Sequence, residues 1–119
     1  MTRQEIFDKV CERLRDGTGR AMRCDGSEAC VYLNKDGLKC AVGIFIPDGH
    51  PAQAFMFEVY ELLSNYKDLP SFLYEGVELL KICQLIHDNK LHWHGKTFLP
   101  VGEDRLRTLA ADFGLEYKC

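Results

Sequence analysis

The chain has 119 residues, 46% of them hydrophobic and 28% charged, and a net charge of -3. That length fits a single domain over residues 1–119, large enough to bury about two-thirds of its unfolded surface without staples. The mild charge argues against a nucleic-acid-binding surface and against a dense nucleic-acid mimic. No apolar run approaches the ~20 residues of a membrane span, and the opening MTRQEIFDKVCERLRDG has no apolar signal core. A cytosolic location with reduced thiols is therefore expected.

Taken in chain order, the first predicted element is a helix over Arg3–Asp16. Thr2 is an N-cap and Glu5 completes a capping box. Ile6, Val10 and Leu14 recur at helical spacing, widened by Phe7 and Cys11, and Gly17 and Gly19 stop the helix. Arg13, Arg15, Arg20 and Arg23 cluster around this stop, either as a solvated helix end or as a patch for phosphate or an acidic partner. A β-hairpin is predicted next, Ala29–Asn34 and Leu38–Ile46 around NKDG, with a three-residue loop and Gly37 left-handed. That register sets Asn34 opposite Leu38 and Tyr32 opposite Cys40. Cys30 and Cys40 then lie diagonally, ~7–8 Å apart, too far for an unstrained disulfide. One face of the second strand, Leu38 to Ile46 at every other residue, is uniformly apolar and reads as core. Ala41 and Gly43 leave the other face low, open to a packed helix, a ligand or a partner strand.

PDGHP is a turn, and Pro51 opens a predicted second helix carrying Phe55, Val59, Leu62 or Leu63, and Tyr66. KDLPS ends it. A third helix from Phe72 to His87 is apolar nearly all round and is expected to be central and buried. HDNKLHWHGKTF reads as a connector or short strand pair, and the last helix as Asp104–Phe113, capped by Gly114. The expected architecture is α+β: about four helices packed on a small antiparallel sheet built around the hairpin at 29–46.

The six cysteines, at 11, 24, 30, 40, 83 and 119, form no C-x-x-C pair, so most read as small buried hydrophobes rather than zinc ligands. Cys40 or Cys30 with His87 and Asp88 supplies the residue types of a thiol nucleophile and its base. Against this, Cys40 faces the predicted core, and Asp88 is adjacent to His87 in sequence, a poor place from which to orient the ring. His92-Trp93-His94 on a strand would point both imidazoles the same way, as a metal site requires, or would simply flank a buried Trp93. DGTGR lacks the lysine of a phosphate loop. Glu58 with Glu61, and Glu103 with Asp104, fall where solvated helix faces are expected.

The run CVYLNKDGLKCAVGIFIPD followed by LLKICQLIHD resembles a family of small, mostly uncharacterised bacteriophage and prophage proteins. The positions that carry the resemblance include Cys30, Tyr32, Gly37, Lys39, Cys40, Gly43, Asp48, Gln84, His87, Asp88 and Trp93. Between Asp48 and Leu62 the chain departs from the acidic, Tyr-containing segment of that pattern. The resemblance implies an anti-defence protein: a non-enzymatic inhibitor that occupies a host immune component, such as a CRISPR–Cas effector, in the host cytoplasm. Gly43, Asp48, His87, Asp88, Trp93, Arg20, Arg23 and Phe57 are the candidate contacts, with no cofactor. Two other readings stay open: a binder that sequesters a nucleotide immune signal, and a Cys–His enzyme or zinc domain.

Overall fold

The computed structural model describes residues 1–22, 31–55 and 58–118. The first helix, α1 (Arg3–Leu14), begins on the expected capping box: the Thr2 hydroxyl accepts the Glu5 N–H and the Glu5 carboxylate accepts the Thr2 N–H. It ends two residues before Asp16, with Gly17 and Gly19 both at φ +82°. Arg13, expected at a solvated end, is buried instead. Its guanidinium donates to the Lys39 carbonyl at 2.6 Å and the Gly19 carbonyl at 2.7 Å, tying the α1 exit to the next segment.

The predicted hairpin is realised as a turn rather than as two strands. Its register is as expected. Leu33 bridges Lys39, the Cys40 N–H donates to the Tyr32 carbonyl, and Gly37 is left-handed. Among the described residues of 31–46 no strand forms around that bridge, and residues 29 and 30 lie outside the described residues. After Cys40 the backbone curls into a 3-10 turn, Gly43–Phe45. The donors a ladder would use are satisfied elsewhere: Gly43 N–H by the Cys40 sulfur, Val42 N–H by Gln84, Ile44 N–H by the Cys40 carbonyl. The alternation of faces is lost with the strand, and Cys40, Ala41, Val42, Gly43, Phe45 and Ile46 are all buried. No open strip exists at Ala41 and Gly43.

The second predicted helix is split. Pro51–Ala54 forms one 3-10 turn, Phe55 is extended, and α2 (Val59–Asn65) starts afresh on Glu58, whose carboxylate caps the Glu61 N–H. The third predicted helix breaks at Gly76 into α3 (Ser71–Glu75) and α4 (Val77–Asp88). A Cβ at Gly76 would press on Ile6 of α1 and on the Phe72 carbonyl, so the glycine lets α1 approach the break. α4 packs against α1, α2, α3 and α5, but it is not buried all round: Ile82 and Leu85 face outward.

The sheet lies at the far end of the chain. β1 (Trp93–His94) and β2 (Thr97–Phe98) pair antiparallel, Trp93 opposite Phe98. The last helix, α5 (Pro100–Asp112), begins a turn earlier than expected because Pro100 takes the first helical position. The fold is α+β, with five α-helices among the described residues and a two-stranded antiparallel sheet. That sheet is at 93–98, not at 29–46. No helix among the described residues is long and apolar enough to cross a membrane.

Candidate functional site

Several of the described residues that carry the sequence resemblance, Tyr32, Cys40, Gly43, Gln84, His87, Asp88 and Trp93, converge. The loop after Cys40 is tied to α4 through Gln84, and Gly43 packs against the backbone of Tyr32. A Cβ built on it would stand 2.1 Å from the Tyr32 carbonyl oxygen, so only glycine fits. The Gln84 side-chain oxygen accepts the Val42 N–H at 3.2 Å, and its amide donates to Asp88 at 2.8 Å. Asp88 therefore takes two donors, because His87 Nδ1 also lies 2.8 Å from the same oxygen. His87 Nε2 accepts the Ala21 N–H, which leaves the ring proton on Nδ1, directed at Asp88. Adjacency in sequence proves no obstacle to orienting that ring: α4 ends at Asp88, and the carboxylate turns back onto its neighbour. The Trp93 indole donates to the His87 carbonyl at 2.9 Å, and Arg20 donates to the Asp88 carbonyl at 3.1 Å. Outside this cluster, Lys39 pairs with the exposed Asp48 at 2.6 Å, closing the loop from 40 to 47.

Burial sets the acid–base behaviour. His87 is fully buried, and desolvation lowers its pKa; Asp88 opposes the shift, while Arg13 and Arg20 add to it. The Cys40 thiol is pushed up to about 12 by burial, although the Gly43 and Val42 N–H groups and Gln84 favour the thiolate. Cys11 is likewise pushed up to about 12, and Cys83 is raised, both by burial. Such thiols are poor nucleophiles at neutral pH. His87 Nδ1 already carries its proton toward Asp88, and Nε2 could take one only by giving up the Ala21 N–H.

Of the two readings of His92-Trp93-His94, the structure has the buried Trp93 and does not set both imidazoles on one strand face. His92 closes a 3-10 turn, Lys90–His92, and is buried with Nδ1 at 2.9 Å from the Ile86 carbonyl, whereas His94 is exposed. Among the described residues no three His, Cys, Asp or Glu side chains converge to hold a metal. Of the candidate contacts, Gly43, His87 and Trp93 are buried, Asp88 and Arg20 are half-buried, and Asp48 is exposed. Arg23 and Phe57 lie outside the described residues, as do Cys24, Cys30 and Cys119.

Sequence reasoning named Gln84 only as a motif position and Arg13 only within an arginine cluster at the α1 exit, without the contacts they make. Gln84 is a polar residue in an otherwise apolar row, three and four positions before His87 and Asp88, and that spacing is its signal. Sequence reasoning passed over an exposed apolar face, where a groove of about 310 Å³ runs between α4 and α5. The search for relatives matches no family model, no curated protein and no solved structure.

Proposed function

We propose that this protein is a non-enzymatic interaction protein of phage or prophage origin that binds and inhibits a host immune component, such as a CRISPR–Cas effector, in the host cytoplasm. One observation carries the non-enzymatic part. The side chains with catalytic potential, Gln84, His87, Asp88 and Arg20, are committed to one another and to backbone groups, and the Cys40 thiol among them is buried and protonated. Their chemistry supports the fold, so action on a partner would come from the surface. The resemblance of the 30–48 and 84–93 motifs supplies the host-defence setting.

Sequestration of a nucleotide would need Gly43, Asp48 and His87 around an open pocket, yet Gly43 and His87 are buried with their polar atoms used. The test is the plating of a targeted phage on cells that carry an active CRISPR–Cas system and express this protein. Recovered plaques, with a Cas protein co-purifying, are expected. Unchanged immunity across a panel of defence systems would overturn the proposal.

A further inference from the structure

Six described large apolar side chains are exposed; Met1 and Tyr60 stand apart, on the N-terminus and α2, and the other four belong to α4, the turn after it and α5. Ile82 (37%) and Leu85 (55%) project from α4, Leu91 (70%) from the turn after it, and Val101 (48%) from α5. Ile82 and Leu85 line the α4–α5 groove together with Leu109. The groove is also lined by two charges of opposite sign on one helix, Arg105 and Asp112. These are seven residues apart, two helical turns on the same face, and among the described residues neither makes an ion pair.

We propose that this face is the interface of a homodimer, with a second copy of the chain as its occupant. A two-fold axis crossing α5 midway between the two charges sets each Arg105 opposite the partner's Asp112, so one arrangement forms two ion pairs at once. Isologous closure requires a patch that complements itself, and a plus and a minus on one helix face meet that requirement. The apolar centre meets it too: the exposed Ile82 and Leu85 line a groove able to take their counterparts, giving an apolar core with a charged rim. The remainder of the surface stays available to a host component. The proposal is independent of the host-defence reading, because it is read on purified protein alone.

The test is sedimentation equilibrium of the full chain from micromolar to millimolar concentration, with circular dichroism to confirm folding of each variant. The wild type is expected to dimerise. Leu85→Glu, at an exposed position, is expected to be a folded monomer. Arg105→Asp should weaken the dimer at least tenfold by facing Asp112, and the swap Arg105→Asp with Asp112→Arg should restore it. A wild type that stays monomeric throughout overturns the proposal. So does a dimer indifferent to Leu85→Glu and Arg105→Asp, or a swap that fails to recover the loss.

Discussion

Gly43 lies directly against the backbone of Tyr32, with the space for a Cβ already occupied by the Tyr32 carbonyl. This close approach, with the hydrogen bonds of Val42 to Gln84 and of Gly43 to the Cys40 sulfur, replaces strand pairing in the segment after Cys40. Gly43→Ala should cost about 3 kcal/mol or more, since the obstacle is backbone and cannot swing aside. Gly37→Ala is the comparison. Gly37 has open space around its Cβ position but φ +82°, so about 1–2 kcal/mol is expected. Urea unfolding of the two variants measures both, and a smaller loss at 43 than at 37 would contradict the close approach.

Gln84 joins the loop to the end of α4. Replacing it by Met keeps the length of the side chain but leaves the buried Val42 N–H without its acceptor. A loss of about 1–3 kcal/mol is expected, with faster exchange of the Val42 amide as the local readout. Unchanged exchange at Val42 would show that the amide bond does not hold the loop.

His87 makes stability depend on pH in a definite direction. Its folded pKa is lowered from 6.5 by burial, so below that value the unfolded chain binds a proton that the folded chain resists. Its contribution is complete above about pH 6.5 and is lost as pH falls through and below that value. Protonation also ends the acceptance of the Ala21 N–H. The melting temperature of the wild type should therefore fall between pH 7 and pH 5 more than that of His87→Gln. The lowered carboxylates Glu58 and Glu103, each held down first by its Lys81 or Arg15 partner, act in a separate window. Their contribution is lost as pH falls below 4.5 and through their folded values. Parallel curves for wild type and His87→Gln above pH 5 would exclude the imidazole as the source.

The buried thiols should be silent. At pH 8 in the native state, Cys11, Cys40 and Cys83 are expected to resist iodoacetamide, and to label fully once the chain is unfolded. Peptide mapping separates them from the other cysteines. Labelling of Cys40 in the native protein on the timescale of a free thiol would contradict its burial.

Much of this fold was legible because the signals were local. The capping box at Thr2 and Glu5, the left-handed Gly37 and the Tyr32–Cys40 register each follow from a few adjacent residues. The hairpin misled because β-forming side chains reveal burial better than they reveal a ladder. The groups that took the ladder's place, Gln84 and the Cys40 sulfur, come from a distant helix and from a one-turn reversal. The third helix was read as continuous because its apolar row runs through Gly76. It divides at Gly76, where Ile6 of α1 comes close, a tertiary contact that no periodicity records. At the candidate site, His87 and Asp88 could be named from sequence, but the spending of both ring nitrogens could not. That depends on Ala21 being carried to Nε2 by the chain after α1.

The central claim is that the clustered motif residues build the fold, while the activity of the protein lies in binding a host immune component. The most direct measurement is the plating efficiency of a CRISPR-targeted phage on cells expressing wild type or Cys40→Ser, with both proteins shown by circular dichroism to be folded. The account predicts that the wild type restores plating and that folded Cys40→Ser restores it equally, because the serine oxygen can still accept the Gly43 N–H. Restoration by the wild type that vanishes in folded Cys40→Ser would point to thiol chemistry, and failure of the wild type to restore plating in any defence system would contradict the account altogether.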